Sequence, residues 1–226
     1  MEAYNLVSLA GIPVLLAIAW LLSADRKRLN GRLILLGTGL QLVFAAFVFL
    51  VPAGRAVFLV LNDLVLQFMA SATAGTEFLF GRLAVPPGQT SAAGETSLGF
   101  ILAFQGLATV VFFASLVGVL YHLGVMQRLI RGFAYIFTRL LGTSGAESLS
   151  VSSNIFIGVE SVLTVRPFLD GMTRSELCTI LTGGMATIAS TVLALYVMLL
   201  QPTFPTIAGH LISASIISAP AALVMS

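Results

Sequence analysis

The chain has 226 residues, of which 58% are hydrophobic and 9% charged, and its mean hydropathy is +1.04. A soluble domain carries roughly 25% charged residues, so water is the wrong solvent for most of this sequence. The formal charge of +2 comes from arginines clustered beside apolar runs and not from a basic face, which removes the nucleic-acid-binding class.

A bilayer core of about 30 Å needs roughly 20 apolar residues per helical crossing. Several runs here meet that length, and they are too continuously apolar for barrel strands, so helices are expected. Met1-Glu2-Ala3-Tyr4 leads straight into the first run without the basic start and small-residue cleavage site of a signal peptide, so that run is expected to stay as a span, at about 5–23. It stops at Asp25-Arg26-Lys27-Arg28, with Arg32 beyond. A second span covers about 33–51 and is closed by Pro52 and Gly54. In residues 55–73, Arg55 and Asn62-Asp63 interrupt the apolar pattern, which predicts an amphipathic helix on the membrane surface. The glycines, Pro86-Pro87 and two glutamates of 73–97 predict an exposed loop.

A third span follows at about 98–123. Met126, Leu129, Ile130, Phe133, Phe137, Leu140 and Leu141 then recur at helical spacing, with Arg128, Arg131 and Arg139 between them, which is a basic amphipathic helix lying on the membrane. Residues 142–171 hold Ser144, Ser148, Ser150, Ser152, Ser153, Asn154, Glu160 and Ser161 among apolar residues. Neither half could span lipid alone. Two half-helices forming a re-entrant hairpin, shielded by protein, reconcile that polarity with membrane depth. A fourth span, about 174–200, has Ala186, Ser190 and Ala194 at four-residue spacing for close helix contact, and its Cys178, the single cysteine, is expected to pack there. After Pro202 and Pro205 a fifth runs over about 207–225.

Charge placement orients these elements. With the N-terminus outside, Arg26, Lys27, Arg28, Arg32, Arg128, Arg131, Arg139, Arg166 and Arg174 fall on the cytoplasmic side and only Arg55 and Arg82 outside. A full crossing in place of the hairpin would put Arg166 and Arg174 on the wrong side. The last span ends without a basic anchor, so the sequence is expected to be cut short.

Glu160 is the acidic residue placed at membrane depth, where an unpaired carboxylate costs several kcal/mol and usually marks a solute path. A structural pair with Arg166 is the alternative. Asn154 offers an amide oxygen beside unwound carbonyls, the oxygen cage of a small hard cation, or else a helix cap. Thr187 and Ser190 are further candidate donors. His122 suits an interfacial anchor and His210 a hydrogen-bonded helix contact. The sequence has no His-Glu-x-x-His, no phosphate-cradling glycine loop and no nucleophile with base and orienter, so an enzyme is not expected.

Specific blocks carry a resemblance. They are Phe104-Gln105, Leu120-Tyr121-His122-Leu123-Gly124 with Met126-Gln127, and Gly142-Thr143-Ser144-Gly145-Ala146-Glu147-Ser148. Asn154-Ile155-Phe156 with Gly158, Arg166-Pro167, Met172-Thr173-Arg174-Ser175-Glu176-Leu177 and Gly183-Gly184-Met185-Ala186 follow in order. Over about 98–220 the chain resembles the concentrative nucleoside transporter family. The resemblance implies a homotrimer whose subunits have a scaffold domain, here 1–142, and a moving transport domain, of which 143–226 would be the first half. It implies sodium held by Asn154, the Ile157 carbonyl, the Thr187 hydroxyl and the Ile188 carbonyl. It places the base end of a nucleoside at Glu160, with Val192 as an apolar contact. The family commonly has Gly-Gln-Thr-Glu at the hairpin tip, where this chain has Gly158-Val159-Glu160-Ser161, one residue shorter. Val159 and Ser161 then line the substrate site, with Ser161 taking part of the polar role. The family's second hairpin is absent, so this chain alone is not expected to transport.

The expectation is therefore an all-α integral membrane protein with about five transmembrane helices, amphipathic interfacial helices and one re-entrant helical hairpin. It is expected in the plasma membrane, or the inner membrane of a bacterium, as part of a sodium-coupled nucleoside symporter with no nucleic-acid partner. Proton coupling through Glu160, or a membrane gate that keeps the hairpin without transporting, are the competing functions.

Overall fold

In this computed structural model of the chain, the described residues are 3–23, 26, 30–91 and 94–226, without the side chains of residues 3–9, 159, 190 and 191. Lys27 and Arg28 of the first basic loop lie outside the described residues. Among the described residues the chain is helical, and its only β feature is an isolated bridge between Thr90 and Thr96.

The first two expected spans are α1 (Ala3–Leu22) and α2 (Gly31–Leu50). The Asn30 side chain caps α2 by accepting from the Leu33 amide at 3.2 Å. Next comes α3 (Pro52–Phe80), with Pro52 in its first turn, where a missing N–H does no harm. It extends past the surface helix expected at 55–73 into the stretch expected as loop.

Two of the residues that broke the apolar pattern of α3, Arg55 and Asn62, have partners on other helix ends. Arg55 Nε donates to the Phe49 carbonyl at 2.8 Å, one of the unpaired carbonyls at the end of α2. Buried Asn62 accepts from the Gly209 amide at 3.3 Å, one of the unpaired amides at the start of α10 (Ile207–Met225). At its far end Phe80 packs on Phe104, centroids 5.1 Å apart, at the start of α4 (Leu107–His122). By length and apolarity α3 could cross a membrane, as could α2, α4 with its preceding turn, and α10. Its partners, however, place it across three helix ends: the end of α2 and the starts of α10 and α4.

The opposite helix ends gather around α5 (Val125–Leu141), bounded by Gly124 and Gly142 in left-handed conformation. Phe137 and Leu141 pack in one core with Val151 and Ile155 of α6 (Gly145–Ile157) and Ala219 and Leu223 of α10, against Leu33 near the start of α2. The chain reverses at Gly158–Ser161, runs through the short α7 (Val162–Val165), and Thr164 Oγ1 donates back to Ser153 Oγ of α6 at 3.3 Å. A 3-10 stretch, Arg166–Gly171, leads to α8 (Arg174–Ala186).

The expected fourth span, 174–200, is not one helix. It is α8 followed by α9 (Ser190–Leu200), separated by extended backbone at Thr187 (φ −129°, ψ 155°) and Ala189 (φ −64°, ψ 145°). Leu193, Ala194 and Val197 of α9 pack with Phe113 of α4 and Val65 and Met69 of α3.

Candidate ion and solute site

The break between α8 and α9 meets the end of α6. A helix leaves its last four carbonyls without intrahelical partners, and its C-terminal end carries partial negative charge. Two such ends converge here, and Asn154 is the joint. Its amide nitrogen donates to the Gly183 carbonyl and, at 2.6 Å, to Thr187 Oγ1. The Thr187 hydroxyl lies 3.4 Å from the Asn154 carbonyl, which also accepts from the Gly158 amide.

That arrangement uses the nitrogen of the Asn154 amide and leaves its oxygen. Asn154 is 2% exposed, and its Oδ1 is buried without a hydrogen-bond donor. A buried carbonyl oxygen lacking any donor loses about 1–3 kcal/mol unless something positive meets it. Among the described residues no three His, Cys, Asp or Glu side chains cluster as a metal site. The available ligands are neutral oxygens at helix C-terminal ends, which suits a monovalent hard cation.

Gly158 closes the approach. Its φ of 79° with ψ of −145° is a conformation that only glycine adopts without strain. A Cβ there would lie 2.6 Å from Ala189 Cα, so the hairpin turn touches the extended segment backbone to backbone. Ile157 and Ile188 are the chain neighbours of this contact, and both are half-buried.

Glu160, one turn of backbone further on, is exposed, and among the described residues it makes no ion pair with Arg166. Ser161 is 1% exposed, and its hydroxyl is a second buried oxygen without a partner. Val192 is exposed on the first turns of α9. The side chains of Val159 and Ser190 lie outside the described ones. His122 is exposed at the end of α4. His210 makes ring contacts instead of the expected hydrogen bond, stacking at 6.1 Å on Phe49 and edge-on at 5.0 Å to Phe58. Cys178, expected to pack, is exposed.

Sequence reasoning missed three features that hold this site. The Gly183 carbonyl and Ala189 carry no side-chain signal. The third is Glu147, which accepts from the Ser144 amide at 2.8 Å and from Thr179 Oγ1 of α8 at 3.2 Å. Ser144/Glu147 and Thr173/Glu176 form two capping boxes, and the Ser144 hydroxyl also faces the Glu176 carboxylate. The Ser-x-x-Glu and Thr-x-x-Glu spacings were legible signals for the start of each helix. The Thr179–Glu147 bond and the Ser144 hydroxyl facing Glu176 set the starts of α6 and α8 side by side.

Two family models match the chain, "Na+ dependent nucleoside transporter N-terminus" over residues 10–83 and "Nucleoside recognition" over residues 103–203. An uncharacterized transporter of Haemophilus influenzae is 40% identical over 98% of the chain and 50% of its own length. The chain belongs to the concentrative nucleoside transporter family. Among mammalian members, sodium/nucleoside cotransporter 2 of Rattus norvegicus is 36% identical over 98% of the chain and 31% of its own length. The solved structure of the transporter CNTnw in an inward-facing substrate-bound state superposes with a TM-score of 0.85 at 39% identity, covering 98% of this chain and 52% of that one. The chain thus spans about half the length of its bacterial relatives or less, and as a member of this transporter family it is a multi-pass membrane protein.

Proposed function

We propose that this chain supplies the sodium site and one end of the nucleoside site of a sodium-coupled nucleoside symporter. The observation that carries the reading is the donorless, buried Asn154 Oδ1 where the C-terminal ends of α6 and α8 converge. Sodium is held by Asn154 Oδ1, Thr187 Oγ1 and the carbonyls of Ile157 and Ile188. Val159, Glu160, Ser161 and Val192 face the nucleoside: the free carboxylate accepts hydrogen bonds from the base, the Ser161 hydroxyl adds a polar contact, and Val192 bounds the site with an apolar surface. An ion that joins α6 to the α8–α9 break orders the hairpin turn, which is how ion binding would raise nucleoside affinity. The names borne by the relatives support both the ion and the solute.

In this reading residues 1–142 are scaffold and 143–226 the first half of a transport domain, assembled as a homotrimer in the plasma membrane or a bacterial inner membrane. The N-terminus lies outside, α3 runs along the outer face over the ends of α2, α10 and α4, and α5 lies on the inner face. The hairpin enters from the inner side and returns there, supported by the paired starts of α6 and α8 and by the nine-to-two split of basic residues.

The test is uptake of labelled nucleoside by the complete protein in proteoliposomes, with external sodium replaced by choline at constant pH. Loss of concentrative uptake supports the reading. Uptake that ignores sodium but follows a proton gradient overturns it in favour of coupling through Glu160, whose lack of an ion partner is the observation favouring that alternative.

A further inference from the structure

Helix α5 has three faces. Met126, Ile130, Phe137 and Leu141 are buried in the bundle. On the side turned away, Arg128, Arg131, Tyr135 and Arg139 form a stripe at spacings of three and four residues, all exposed. Between the two, Val125, Leu129, Ile136 and Leu140 form an apolar stripe that is also exposed, by 36–46%. Among the described residues none of the three guanidiniums has a carboxylate partner, and the hydrogen bond of Arg131 is to the Gln127 carbonyl of its own helix, at 3.1 Å.

Both ends of the helix are fixed. Gly124 and Gly142, with φ of 75° and 69°, turn the chain sharply out of α4 and into α6, and Gln127 Nε2 donates to the Tyr121 carbonyl at 2.7 Å, tying the first turn of α5 to the end of α4. Thr138 Oγ1 donates to Ser148 Oγ at 2.8 Å, tying the last turn of α5 to α6. The basic stripe, about 16 Å long at 1.5 Å per residue, is therefore tied to the end of α4 and the start of α6.

We infer that the Arg128–Arg131–Arg139 stripe is a docking site for the phosphates of anionic phospholipids, with the Leu129–Ile136–Leu140 flank seated in the acyl region beside them. A guanidinium fork matches a phosphate diester, and the adjoining apolar stripe supplies the boundary into which an interfacial helix sinks. A second copy of the chain fits this face less well, since it would have to bring three acidic groups to one basic row. The inference rests on the membrane placement of α4 and α5 and not on which solute is carried.

The experiment places a benzoylphenylalanine crosslinker at Ile136 of the complete protein, in nanodiscs of equal phosphatidylglycerol and phosphatidylcholine, and weighs the adducts by mass spectrometry. Phosphatidylglycerol adducts are expected to exceed phosphatidylcholine adducts by about twofold or more. The ratio should fall towards one in the Arg128→Gln/Arg131→Gln/Arg139→Gln variant and, in the unsubstituted helix, in about 1 M salt, where screening reaches about 3 Å. The salt arm does not depend on the variant folding. Equal adducts of the two lipids, an excess that survives both treatments, or adducts to protein alone or none at all would each overturn the inference. Sodium-dependent uptake in the same preparation reports separately on the transport reading.

Discussion

Asn154 on α6 and Thr187 at the break after α8 are 33 residues apart in sequence and hydrogen-bonded at 2.6 Å. The bond commits the amide nitrogen of Asn154 to the end of α8 and leaves its oxygen buried and without a donor. Four predictions follow from this joint and its supports.

Thr187→Val keeps the shape of the side chain and removes its oxygen. In the complete protein the sodium concentration for half-maximal uptake should rise by about tenfold, the loss expected for one hydrogen-bonding or ligating oxygen worth about 1.4 kcal/mol. Asn154→Ala should abolish sodium-dependent thermal stabilisation. Unchanged sodium dependence in both variants would remove Asn154 and Thr187 from the ion site.

Glu160→Gln should separate solute from ion. The carboxylate is exposed and unpaired, so its neutralisation should lower nucleoside affinity by about tenfold or more, the loss of a charge-assisted hydrogen bond. Sodium-dependent stabilisation should persist. Isothermal titration with nucleoside and melting with sodium check the two halves independently.

Gly158→Ala should cost more than Gly142→Ala. Both glycines have positive φ, but only Gly158 combines ψ of −145° with a backbone neighbour where the Cβ would go. Strain alone is about 1–3 kcal/mol at such a position. Displacing Ala189 as well should move the extended segment and weaken sodium binding. Comparing melting temperatures and sodium affinity of the two variants isolates that second effect, which Gly142→Ala should lack.

Glu147→Ala should destabilise by about 1–3 kcal/mol, because it removes a cap from α6 and leaves Thr179 without its acceptor on that helix. Thr179→Val should cost less, and in the double variant the two losses should sum to less than their separate values. Denaturant melts in detergent give all three numbers. Full additivity would show that the two residues do not act as one clasp.

Membrane residence, the all-helical class and the long apolar helices α2, α4 and α10 were determined by the sequence alone, because the bilayer penalises each unpaired polar group so heavily that composition must follow depth. The order Asn154, Glu160, Thr187 was equally legible as a set of oxygens in apolar surroundings. The break between α8 and α9 was not. Thr187-Ile188-Ala189 contains neither proline nor glycine, and the apolar pattern runs through it unbroken. A membrane helix opens there only because a partner takes up a freed backbone carbonyl, and that partner, Asn154, arrives from another element. The polar interruptions of α3 show the same thing from the other side: Arg55 and Asn62 read as contacts with water until folding sets them against the ends of α2 and α10. Which polar groups meet solvent, solute or one another depends on tertiary contacts, since hydrogen-bond satisfaction is a property of pairs and the sequence lists only their members one at a time.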